Sequence, residues 1–98
     1  MKSITKEHII KAIKRFDKVG LPEPSAESSY YDLLYNGKKY PPKVIVSYSN
    51  FYAEGEDLDR RYFVGGRGSK SFKLLQKHGF EIIEKKTAEV NKMHFDKD

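Results

Sequence analysis

The 98-residue sequence contains no cysteine. That removes disulfides, thiolate metal sites and cysteine nucleophiles, and leaves nothing that requires an oxidising compartment. It also lacks any apolar run of the roughly 18 residues that a bilayer span needs. The amino terminus, MKSITKEHIIKAIKRF, breaks its apolar residues with charge every few positions, where a secretory signal needs an unbroken apolar stretch. We therefore expect a protein of the cytoplasm, neither exported by a classical signal nor held in a membrane. The chain is too short for a second domain, because domains ordinarily need about 100–150 residues, and it has no internal repeat. Catalytic patterns are missing as well. His8, His78 and His94 have no histidine four residues away, and there is no G-x-S-x-G elbow. The acids Glu54, Glu56, Asp57 and Asp59 lack the spacing and central glycine of a calcium loop, and read as a solvated acidic turn. These absences predict no enzyme, no cofactor and no metal site.

What is present is local order. From residue 5 to 19, Ile9, Ile10, Ile13 and Phe16 recur at helical spacing opposite Lys11, Lys14, Arg15 and Lys18, with Thr5 as N-cap and Gly20 as the stop. Residues 21–29, with two prolines and three serines, read as an irregular loop. Residues 30–35 lead into Asn36-Gly37, the dipeptide suited to a type I′ hairpin turn, and residues 38–40 form the returning strand. Pro41-Pro42 opens a second helix, because proline has no amide to lose at the first helical position. Val44, Ile45, Tyr48, Phe51 and Tyr52 give that helix one broad apolar face, ending at Gly55. Residues 65–68 form a glycine-rich loop. Residues 69–77 predict a third helix, capped by Ser69 or Ser71, and residues 80–84 a final strand. The fold class is α+β, with three helices packed on a small, mainly antiparallel sheet made from the hairpin and the C-terminal strand. The order of the strands is left open, and the last one is able to pair antiparallel or parallel beside residues 30–35. Residues 1–84 read as a single domain and residues 85–98 as a solvated tail or linker.

The charge is uneven. Six basic residues and no acid lie between Arg60 and Phe80, and three lysines and no acid between Leu33 and Ala53, in a chain of net charge +5. The rest is therefore net negative, which points to a polyanionic partner such as the phosphates of duplex DNA. The segment VGGRGSKS combines glycine-freed amides, a helix start, Arg67 and Lys70, the ingredients of a phosphate seat. It is not a Walker A loop, since Val64 stands where the first glycine would be needed. A plain glycine-rich turn with an ordinary capping serine reads the same residues equally well. At the hairpin, Lys38, Lys39 and Tyr40 project beside a tight turn, with Lys43 on the next helix. Most of the seven tyrosines are better read as core volume with the hydroxyl at an edge. The candidate DNA-binding residues are Lys38, Lys39, Tyr40, Lys43, Arg67, Ser69, Lys70 and Lys73. The competing reading is a protein–protein interaction domain that docks a partner subunit without nucleic acid, through surface aromatics around Tyr48 and Tyr52.

A resemblance sharpens the first reading. The run YDLLYNGKKYPPKVIVSYSNFYAEGEDL, the F-x-G-G at Phe63 to Gly66, and SFKLLQKHGFEII, preceded by T-x-E-H-I-x-x-A-I, resemble the small N-terminal head domain of McrA-type and McrBC-like modification-dependent restriction endonucleases. The likeness extends from Ile4 to about Ile83. Its most distinctive parts are the junction at Asn36 to Lys43 and the Gly-Phe-Glu-Ile at Gly79 to Ile82. The resemblance implies an α+β head that accompanies nuclease or reader domains and contributes DNA contacts rather than cutting. Where the family pattern often has Asn, this chain has Lys70, followed by the matching Ser71 and Phe72. That substitution favours a nonspecific phosphate contact at this position.

Overall fold

A computed structural model describes residues 3–26 and 30–85. The expected tail lies outside the described residues beyond Lys85. Three helices, α1 (Lys6–Val19), α2 (Pro42–Glu54) and α3 (Lys70–Lys77), combine with three strands, β1 (Tyr31–Tyr35), β2 (Lys38–Tyr40) and β3 (Glu81–Glu84). Single 3₁₀ turns at Pro24–Ala26 and Arg60–Tyr62 interrupt the connections. The first of these puts a turn into a segment expected to be irregular. No helix among the described residues is long and apolar enough to cross a membrane.

Local chemistry starts and stops these elements. Thr5 caps α1 by accepting from the His8 amide at 3.3 Å, and His8 Nδ1 accepts from the Thr5 amide at 3.0 Å. This is a capping box with histidine in the position usually held by Glu or Gln. In the hairpin, Asn36 has φ 51° and Gly37 φ 77°, the paired positive angles of the predicted turn. Pro42 occupies the first turn of α2, and left-handed Gly55 (φ 96°) ends the helix.

The middle of α2 is buried on nearly every side, from Val44 to Asn50. Its polar residues survive there because each has an acceptor. Ser49 donates to the Ile45 carbonyl at 2.7 Å, Ser47 to the Leu58 carbonyl at 2.6 Å, and the Asn50 amide to the Glu56 carbonyl at 2.9 Å. The buried surface is therefore wider than the face expected from apolar spacing, and Phe51, assigned to that face, is 45% exposed. Ile9, Ala12 and Ile13 of α1, Leu33 of β1 and Leu75 of α3 belong to the same core cluster as α2.

The sheet order is β2-β1-β3, with both pairings antiparallel. That excludes the parallel alternative and puts β1 in the centre. Leu33 pairs with Tyr40 on one side and Ile82 on the other, so all three share the face turned to the core. On that face Tyr31 meets Phe72 edge-on at 5.3 Å and Tyr35 meets Phe80 at 5.6 Å. The hairpin tip and the Tyr31 end of β1 are thus separated by about 14 Å, four strand residues.

Tyr40 is 3% exposed, and its hydroxyl donates to Asp17 at 2.9 Å. Burial first, then the bond and the negative charge of Asp17, push its pKa up from 10.0 to about 12. This stabilisation is complete below the unfolded pKa and is lost as pH rises through the folded one. In urea unfolding, Tyr40→Phe is expected to lower stability by about 0.5–1.5 kcal/mol at neutral pH. The variant should also lose less stability than the parent between pH 10 and about 12.

Candidate nucleic-acid interface

The two basic stretches meet at one place. Lys43, in the first turn of α2, lays its aliphatic stem on the glycine-rich loop. A Cβ at Gly65 would come within 2.7 Å of Lys43 Cδ and 2.9 Å of Cγ. The Lys43 ammonium sits 5.0 Å from the centroid of the Phe63 ring. Burial, and secondarily the charge of Arg60, lower its pKa. Arg60 is paired with Glu23, whereas Lys43 has no carboxylate partner among the described residues. A lysine packed on a glycine-rich loop with no carboxylate partner among the described residues is a locus of positive potential.

The loop's glycines have conformational reasons. Gly66 (φ 106°) and Gly68 (φ 79°) occupy left-handed backbone, and Gly65 admits Lys43. Ser69 is the cap of α3: its Oγ accepts from the Phe72 amide at 3.2 Å. Ser71 is buried instead and donates to the Val64 carbonyl at 2.6 Å, clipping the loop to the helix. The first-turn amides of Lys70 and Ser71 lack an intrahelical acceptor by construction. Lys70 and Lys73 are exposed on α3, and Lys77 continues their row at i, i+3, i+7. None of the three has a carboxylate partner among the described residues.

Other expected contacts lie elsewhere. Lys38 is at the hairpin tip, 3.8 Å from Asp17. Lys39 is exposed and pairs with Leu34, on the sheet face turned away from Leu33. Arg67 is engaged by Glu84. Tyr40, read from sequence as a projecting contact, is withdrawn from the surface, because its ring fills the core face and packs edge-on to Phe16 at 5.5 Å. The acidic turn is also more than a solvated one. Asp57 holds Arg15, and Asp59 caps the Arg60–Tyr62 turn through the Arg61 amide while binding the Arg61 side chain. Those hydrogen bonds hold the Asp59 carboxyl down at about 2. Sequence reasoning counted Arg60 among the basic residues without assigning it to the site. Its electrostatic effect on Lys43 depends on segments far apart in the chain coming together, which no local signal announces. No group of three or more potential metal-ligating side chains occurs among the described residues.

The model of a protein family described as the ScoMcrA-like N-terminal head domain matches residues 2–84. Among solved structures, the chain is similar to the Type IV phosphorothioation-dependent restriction endonuclease ScoMcrA. Identity is 24% and the TM-score 0.58, over 85% of this chain and 13% of that one. The chain thus spans a small part of the endonuclease it matches, and the likeness is one of fold. No curated protein matches.

The Gly65–Lys43 contact is testable by a double-mutant cycle. Gly65→Ala should destabilise the protein by about 1–3 kcal/mol through overpacking, and much less in a Lys43→Ala background, where the obstructing stem is gone. Additive losses in thermal unfolding would show that the two residues do not meet.

Proposed function

The chain belongs to the ScoMcrA-like N-terminal head-domain family, and on that premise we propose that it is a DNA-binding accessory module of a modification-dependent restriction or defence protein. It docks on the phosphate backbone and leaves cutting, and the reading of base or backbone modification, to nuclease and reader domains of a parent protein. The proposed module spans residues 1–84, acts in the cytoplasm and performs no catalysis.

The observation that carries this reading is the packing of Lys43 on the glycine-rich loop, with no carboxylate partner among the described residues and with its pKa lowered by burial and by the charge of Arg60. A phosphate placed there relieves the repulsion between the two cations. It also lies close to the start of α3, where Ser69 orients the helix so that the Lys70 and Ser71 amides and the helix dipole face an anion. Lys70 and Lys73 then meet neighbouring phosphates. Lys39 is an outlying cation with no carboxylate partner among the described residues. Lys38 and Arg67 contribute by exchanging Asp17 and Glu84 for phosphate. Such exchange is inexpensive because exposed ion pairs are worth only about 0–1 kcal/mol. Tyr40 takes no part. These contacts address phosphate and sugar rather than base edges, so they position the protein without reading sequence.

Binding to duplex DNA through about four phosphates should give a log–log salt slope near −3.6, and Lys43→Ala and Lys70→Ala should each make it shallower by about 0.9. Plain and phosphorothioated duplexes should bind alike. A slope near zero would overturn the proposal. In an NMR titration of lysine side chains, the duplex should raise the lowered pKa of Lys43, because an adjacent phosphate favours the protonated amine.

A further inference from the structure

A second cationic surface lies on α1, away from the glycine-rich loop and α3. Lys11, Lys14 and Lys18 stand at i, i+3 and i+7, one row along the helix. With Arg15 and Tyr52 of α2 they line an open groove of about 270 Å³. The three lysines are exposed, and none has a carboxylate partner among the described residues.

Arg15 is different. Its guanidinium makes a forked pair with Asp57 at 2.8 and 3.0 Å and lies 3.9 Å from the Tyr48 ring centroid and 5.2 Å from that of Phe51. The bonds to Asp57 raise its pKa. Arg15 is therefore a fixed wall of the groove, not a free hand. Phe51 meets Tyr52 edge-on at 5.2 Å and exposes 45% of its surface. Three free ammonium groups thus stand beside an aromatic pair that is partly open to water.

We infer that this groove docks an acidic peptide segment carrying apolar side chains, with its carboxylates on Lys11, Lys14 and Lys18 and an apolar side chain over Tyr52 and Phe51. Three features favour this occupant. The volume is below the about 300–1,000 Å³ of small-molecule sites, so it suits side chains rather than a cofactor. The exposed ring offers burial that a duplex backbone does not exploit. Glu54, two residues after Tyr52, and Asp57, held by Arg15, are exposed acids near this part of α2; their charge disfavours a uniformly anionic strand over the rings more than a peptide with charge on one edge. The inference uses none of the residues of the DNA reading, although Lys14 also borders the cleft that holds Lys38.

The test uses fluorescence anisotropy of the full chain with three labelled probes. They are a short peptide alternating Glu with Leu and Phe, the same peptide with Ser replacing Leu and Phe, and single-stranded DNA. The Glu/Leu/Phe peptide should bind, and the Ser version about tenfold more weakly. Lys11→Glu combined with Lys14→Glu should weaken peptide binding about tenfold or more. Phe51→Ser should weaken the Leu/Phe peptide only. Lys18→Glu serves as a second, single-site reversal. Lys70→Glu with Lys73→Glu should leave peptide binding intact while reducing duplex binding, so the two readings fail separately. Absence of peptide binding, indifference to the α1 reversals, equal binding of the Ser peptide, or transfer of the α1 effect to single-stranded DNA would each overturn the inference.

Discussion

The burial of α2 is the constraint on which the rest of the molecule depends. A helix enclosed along its middle needs neighbours on several sides, and α1, the sheet and α3 supply them. Its serines and asparagine tolerate that position because they bond to its own turn and to the following loop. The bonds from Ser47 and Asn50 pull residues 56–58 against the helix, so the acidic turn is set by the core. Both proposed surfaces draw residues from this helix. Lys43 is at its start, Tyr48 and Phe51 receive Arg15 on its flank, and Tyr52 completes the α1 groove.

Charge in this protein falls into two populations. One is engaged internally: Arg15 with Asp57, Arg60 with Glu23, Arg61 with Asp59, Arg67 with Glu84, Lys38 with Asp17 and Lys85 with Asp32. Four of these six cations are arginines, whose planar fork suits carboxylates. The other population is lysine: Lys43 on the loop, Lys70, Lys73 and Lys77 on α3, and Lys11, Lys14 and Lys18 on α1. The arginines therefore act mainly in arranging the surface, and the unpartnered lysines carry the potential offered to a partner. That division explains how a chain of modest net charge supports two separate cationic surfaces.

In the proposed function, one stretch, the glycine-rich loop, serves both folding and binding. Its positive φ angles and the packing of Lys43 on Gly65 are sufficient reasons for its glycines. Yet the same packing places on this loop a lysine with no carboxylate partner among the described residues. A turn required by the fold and a seat for phosphate are thus compatible readings, and binding needs no strain beyond what the turn already contains.

Nearest-neighbour physics made much of the fold legible. Thr5 and Ser69 announce helix starts, Gly55 a helix end, Asn36-Gly37 a hairpin and Pro41-Pro42 a boundary. Each acts through sterics or hydrogen bonds within a few residues, so the sequence alone determined where the three helices and the strands lie. The capping by His8 and the wider buried surface of α2 were hidden, because both depend on side chains whose usual preferences point elsewhere. Only the tertiary structure decided that β1 is central and β3 antiparallel, that Tyr40 belongs to the core, that Lys43 meets the loop near Arg60, and that the hairpin lysines stand apart. Those outcomes depend on which distant surfaces pack together, a choice made by the shape and burial of the whole core and not encoded within any one segment.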